Sequence, residues 1–270
     1  MIRTFTSIFI MVAFAVACSR NALSNKNQFK LFKESDLQTM STEQYQQFLS
    51  SSKIVSGTTN RDAEMVRRVG VRITKAVETY YYDVLKKPNA LAGFKWEYNL
   101  VDNKEVNAWC MPGGKIVVYT GLLPISLNEA ALAVVMGHEV SHALLQHGNE
   151  RMSKQLGAEV VGLGLQVAVS SKPVETQNAF LTAYGVGSQV GFLLPFSRNQ
   201  ESEADEWGLK FAAMAGYNPE EAIPLWERME KAGSGQKPPE FLSTHPSEGK
   251  RIEHLKQVMP EAIRLYKLAK

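Results

Sequence analysis

Residues 128–148 read NEAALAVVMGHEVSHALLQHG, and the run His138-Glu139-Val140-Ser141-His142 inside them decides how the chain is read. Asn128 is a residue suited to capping a helix, and Ala131, Leu132, Val135, Met136 and Val140 follow it at three- and four-residue steps. Gly148 marks the predicted end of that helix. Residues four apart lie on one helix face, so His138 and His142 can bind a single metal ion. Glu139 stands about 100° round from His138, where a carboxylate reaches a water on that ion. Such a water needs a lowered pKa and a base, which zinc and Glu139 would supply. The predicted chemistry is therefore metal-assisted hydrolysis. With 5 His in 270 residues, a chance match falling on the best helical pattern of the chain is a poor explanation.

A hydrolytic zinc site commonly takes three protein ligands and leaves a fourth position for water. The best third candidate lies in Ser197-Arg198-Asn199-Gln200-Glu201-Ser202-Glu203-Ala204-Asp205. Glu201 and Asp205 are four apart on a helix predicted from about Gln200, so Glu201 could ligate while Asp205 holds the second nitrogen of a histidine. Spacing alone favours the plainer reading, an acidic pair on a solvated helix.

Four motifs in order resemble the HtpX/BepA-type family of zinc metallopeptidases, relatives of the CAAX prenyl proteases. Asn107-Ala108-Trp109, with Pro112-Gly113-Gly114 and Thr120-Gly121-Leu122, is similar to the family's edge strand and hairpin. His138 to His142 is the zinc motif, and Ser197-Arg198-x-x-Glu201-x-x-Ala204-Asp205 is similar to the third-ligand helix. His245-Pro246-Ser247, with Arg251-Ile252 beyond, completes the set, and the resemblance covers roughly residues 60 to 255. It implies a mostly helical α+β fold of zincin type with a small sheet beside the zinc helix, and one Zn2+ per chain. It implies His138, His142 and Glu201 as ligands (a gluzincin set), Glu139 as base and Asp205 behind a histidine. His245 and Arg251 would oppose charge on the attacked carbonyl, or His245 would cap the zinc at rest. Asn107, Ala108 and Trp109 would bind an extended substrate by its main chain, which favours unfolded segments of varied sequence.

Outside these motifs, Ser41-x-x-Gln44 predicts a capping box opening a short helix, and Asn60 precedes a longer helical pattern through Val84. Phe94 to Val101 alternates as a strand. Cys110 reads as a buried strand thiol, His147 as a histidine at a helix C-terminus, and His254 as exposed. The apolar, Gly- and Ala-rich stretch from Leu156 to Phe196 reads as two core helices, or as a mobile flap or membrane-facing element over the cleft. Pro173 and Gly185 break it into pieces too short to span a bilayer.

Arg3, the apolar run Ile8 to Ala17 and Cys18 predict a signal peptide over residues 1–17. Ala15-Val16-Ala17 suits ordinary signal peptidase, while Ala17-Cys18 resembles a lipobox. On the favoured second reading Cys18 becomes a lipidated mature N-terminus, residues 18–40 a tether, and residues 41–270 the peptidase domain. The expected location is periplasmic, lipid-anchored to the outer membrane. A net charge of +3 gives no reason to invoke nucleic acid, and the sequence sets no oligomeric state. No tetratricopeptide repeat follows Arg251. The expectation is a compact endopeptidase acting on misfolded or stalled bacterial envelope proteins. The rival is a non-hydrolytic or auto-inhibited zinc-bound chaperone or assembly factor for outer-membrane proteins.

Overall fold

A computed structural model describes residues 18–56, 60–163, 196–234, 239–246 and 250–270. The predicted signal peptide, the stretch 164–195 and Ser247 lie outside the described residues. Two short strands, β1 (Cys18–Arg20) and β2 (Asn27–Phe29), pair antiparallel, and α1 (Glu34–Ser51) and β3 (Ile54–Val55) follow. Then come α2 (Arg61–Thr79), β4 (Glu97–Val101), β5 (Ala108–Met111), β6 (Lys115–Tyr119) and a turn of helix, α3 (Leu123–Ser126). The site elements are α4 (Glu129–Leu144), α5 (His147–Leu163) and α6 (Arg198–Met214); α7 (Ala222–Gly233), α8 (Glu240–Thr244) and α9 (Arg251–Leu268) close the fold. This is the mostly helical α+β architecture expected. No helix among the described residues is long and apolar enough to cross a membrane.

The sheet runs β3-β4-β6-β5, with β4 and β6 parallel and the other two pairs antiparallel. Pro112-Gly113-Gly114 makes the β5–β6 hairpin, and Gly113 and Gly114 adopt φ of +80° and +84°, a region glycine enters without strain. β5 is the sheet's edge and packs against α4. Strand β4 begins only at Glu97; ahead of it the rings of Phe94 and Trp96 lie tilted against each other at 4.8 Å and pack on the core.

Helix α4 is buried on all sides from Ala131 to Leu144, which its run of small and branched apolar residues permits. Asn128 accepts from Ala131 N as its cap. Against α4 lies α6, and the two backbones nearly touch: a Cβ on Gly208 would stand 2.5 Å from His138 N, and one on Gly137 2.6 Å from Gly208 O. Glu201, Asp205 and Gly208 fall on one face of α6, so the glycine contact brings both carboxylates against the histidines of α4.

Three local expectations are corrected. Helix α1 starts at Glu34, not Ser41, because Leu37, Ser41 and Tyr45 form one continuous buried stripe and Ser41 lies inside the helix. Residues 18–40 do not stand off as a tether: Leu23 joins the core, and Asn21 and Gln28 donate to the carbonyls of Leu144 and Leu145 at the end of α4. Finally, α4 ends at Leu144; Gln146 takes φ +55°, and His147 opens α5.

Candidate metal centre

The first turn of α6 is held by a capping box in which Ser197 and Gln200 bond reciprocally to each other's backbone N–H. Its side chains meet the middle of α4 and the residue that ends α8. His138 Nε2 and His142 Nε2 lie 3.0 Å apart, and His138 Nε2 lies 3.2 Å from His245 Nδ1. Glu201 brings Oε1 to 3.0 Å from His245 Nδ1 and 3.4 Å from His142 Nε2, and Oε2 to 3.5 Å from His138 Nε2. All four residues are buried, and their candidate ligand atoms lie within 4.8 Å of one another. Two ligands of one ion are separated by at most about 4.2 Å, twice a bond of about 2.1 Å, so these pairs fit a common ion. Three imidazoles and a carboxylate converge here at hydrogen-bond distance, with more acceptor lone pairs than the imidazole protons can satisfy. A divalent cation resolves that arrangement.

Each group has support behind it. His138 Nδ1 lies 2.8 Å from Asp205 Oδ1, which fixes Nε2 as the metal-facing nitrogen. Arg251 donates from Nε to Asp205 Oδ2 at 2.7 Å, and from Nη2 to Glu201, with its guanidinium 3.9 Å over the Trp226 ring. Burial opposes the charge on Glu201, but the neighbouring histidines hold its carboxyl well below the usual range. Burial likewise acts to lower His138, and the Asp205 and Glu201 carboxylates outweigh it, raising the group to about 9. His142 has only Glu201 to offset its burial and stays well below the usual value.

Glu139 points into the same buried space, with Oε1 3.4 Å from His245 Nε2. Burial raises its carboxyl above the ordinary range, the direction a general base near neutrality requires. His245 thus faces the donor cluster with Nδ1 and the base with Nε2. It stacks on Phe241 at 4.5 Å and on Phe196 at 5.1 Å.

Edge strand β5 brings Asn107, Ala108 and Trp109 beside α4. Tyr119 N donates to Asn107 O, so the alternating ladder turns the main-chain groups of Ala108 and Cys110 to the open side of the sheet. Asn107 Oδ1 already accepts from Ala108 N at 2.9 Å. The Trp109 side chain lies on the opposite face, edge-on to Tyr45 and Phe48, and so takes no part in the metal centre. Cys110 is buried, as expected.

Sequence reading missed several neighbours. His147 is no C-terminal residue facing a helix dipole; it is fully buried, with Nδ1 3.0 Å from His142 Nδ1 and Nε2 3.1 Å from Glu203 Oε2. Phe196 lies tilted against His142 with ring centroids 3.9 Å apart, and the Arg151 guanidinium sits 3.7 Å over the Phe196 ring. His254, expected to be exposed, is half-buried with Nε2 3.1 Å from Ser202 O. Only the spacing of His142 and His147 could have hinted at contact, and it predicts different helix faces unless the helix ends between them.

The model of peptidase family M48 matches residues 72–259, which takes in His138, Glu139, His142, Glu201, Asp205, His245 and Arg251. The chain belongs to peptidase family M48. This M48 peptidase is 41% identical over 179 residues to "Mitochondrial metalloendopeptidase OMA1" of Arabidopsis thaliana, covering 66% of this chain and 35% of the relative. To the protein of the same name in Saccharomyces cerevisiae it is 35% identical over 200 residues, 71% of this chain and 55% of the relative. "Beta-barrel assembly-enhancing protease" of Escherichia coli is 32% identical over 163 residues, 58% of this chain and 33% of its own length. The chain spans roughly a third to just over half of the length of these relatives. They correct the expected location: the relatives that share most of this M48 chain are named as mitochondrial, which overturns a periplasmic, outer-membrane placement. The motifs that carried the resemblance belong to the catalytic domain and hold no information on compartment.

Proposed function

We propose that this metallopeptidase is a zinc-dependent endopeptidase that cuts extended segments of unfolded or damaged proteins, in a quality-control role. The observation that carries the reading is a buried carboxylate, Glu139, set against a buried donor cluster of His138, His142 and Glu201. His138, His142 and Glu201 would hold the zinc, which when bound would supply Lewis acidity to lower the pKa of water and polarise the scissile carbonyl. Glu139 accepts the proton of the attacking water and delivers it to the departing amine. The outward carbonyl of Ala108 and the main-chain groups of Cys110 pair with a substrate strand, which selects backbone over side chain. Asp205 orients His138. Arg251 is fully engaged by Glu201, Asp205 and Trp226, which supports a clamp on the two carboxylates in place of the expected contact with the oxyanion. The relatives' names support a mitochondrial working location. Lipidation of Cys18 remains a proposal tested by labelled palmitate incorporation and its loss in Cys18→Ala.

A second reading rests on His245, whose Nδ1 stands where a fourth ligand would. A fourth protein ligand closes a zinc site and leaves water no position. The conformation described is then a resting state, and hydrolysis requires His245 to withdraw; a chain in which it never does so is an assembly factor. Casein cleavage by the full chain, with zinc content measured in parallel, separates these. The endopeptidase reading expects Glu139→Gln to keep about one zinc per chain and lose a factor of about 10² to 10⁴ in rate. Zinc bound and no cleavage by the wild type, with cleavage appearing in His245→Ala, would favour the closed resting state. A wild type without zinc would overturn the whole assignment.

A further inference from the structure

His138 has a carboxylate behind it, whereas the support behind His142 is of another kind. His142 turns Nε2 to the donor cluster, so a metal there leaves Nδ1 carrying the proton. That nitrogen lies 3.0 Å from His147 Nδ1, which is then the acceptor and therefore unprotonated. The His147 proton must sit on Nε2, 3.1 Å from Glu203 Oε2. The other oxygen of Glu203 accepts from Lys26 Nζ in the turn between β1 and β2. Each proton position follows from the one before it, and the series starts at the metal and ends at a largely exposed ammonium. The elements that carry it are independently anchored: Asn21 and Gln28, in the same hairpin as Lys26, cap the carbonyls at the end of α4. His147 is placed by the break after Leu144 that rotates it back under His142.

We propose that His147 and Glu203, with Lys26 at their outer end, are positioning residues for the metal: they lock His142 in the tautomer and orientation in which Nε2 ligates. The N-terminal hairpin is on this view a structural part of the centre. The proposal rests on the metal-centre reading above and adds a requirement to it. His147 supplies no ligand atom to the donor cluster and acts through its contact with His142.

The test measures metal affinity of the full chain by competition with a chromophoric chelator, and the visible spectrum of the cobalt(II)-substituted protein. Losing an outer partner of a metal-bound histidine typically weakens binding about tenfold to a hundredfold. His147→Leu, which cannot accept the His142 proton, should show such a loss with an altered cobalt spectrum. His147→Asn, which retains an acceptor near the position of Nδ1, should recover most of both. Glu203→Leu should fall between, and Lys26→Ala should do least, with an effect that fades in high salt because the pair is exposed. Wild-type affinity and an unchanged spectrum in a folded His147→Leu would overturn the proposal. If that variant does not fold by circular dichroism, Glu203→Leu decides in the same way, since its carboxylate lies at the solvent edge. A wild type that binds no metal would instead fail the reading on which this rests.

Discussion

At the residue scale the centre depends on one cation. Arg251 is buried between Glu201 and Asp205, and burial, which acts to lower its pKa, is outweighed by the two carboxylates. Removing one partner of a buried ionic group leaves uncompensated charge and costs about 3–5 kcal/mol. Arg251→Met keeps much of the volume over Trp226 and should lower unfolding stability by that amount in urea titration, with zinc content falling alongside. A loss of only about 1 kcal/mol, the scale of an exposed pair, would mean that water reaches the cluster. His138, Glu139 and His142 were legible because the helical repeat makes their spacing a geometric statement. Glu201 and Asp205 had the right spacing too, but acidic pairs on wet helices look identical in sequence. Trp226, Phe196 and His147 carry no local pattern, since their roles come from contacts across the fold.

At the element scale the decisive event is the contact of α4 with α6. Ridges of side chains normally keep helix axes about 8–10 Å apart, and two facing glycines remove that spacer here. Gly208→Ala would place a methyl against the backbone of His138 and push α6 away, carrying Glu201 and Asp205 with it. Overpacking of this kind costs about 1–3 kcal/mol. Urea unfolding should register that loss, and zinc affinity should drop beyond it, because the donor set widens. Normal affinity in a destabilised Gly208→Ala would show that the ligands reach the ion without the close approach. The helix of His138 and His142 was predicted by its periodicity and its Asn128 cap. Its end was not: Leu145 and Gln146 are acceptable helix residues, and the carbonyls of Leu144 and Leu145 are taken up by Asn21 and Gln28 from over 100 residues away.

At the scale of the molecule, the donor set draws ligands from α4, α6 and the end of α8, so an ion bound there favours the folded chain over the unfolded one. Stability gained in this way is about 2.7 kcal/mol when free metal is a hundredfold above its dissociation constant. A chelator should therefore lower the midpoint of thermal unfolding, and added zinc should restore it. A melting curve indifferent to both would mean the four residues hold no ion. The amino-acid sequence alone determined a helix with two histidines and a carboxylate on defined faces and the hairpin at Gly113-Gly114, because those depend on periodicity and backbone freedom within a few residues. Tertiary structure alone decided that Arg251 clamps carboxylates and that His147 stands behind His142, and it brought to those histidines the Glu201 and His245 that family resemblance had implied. Those are meetings between distant segments, and their energies come from burial and charge pairing that exist only once the segments are packed.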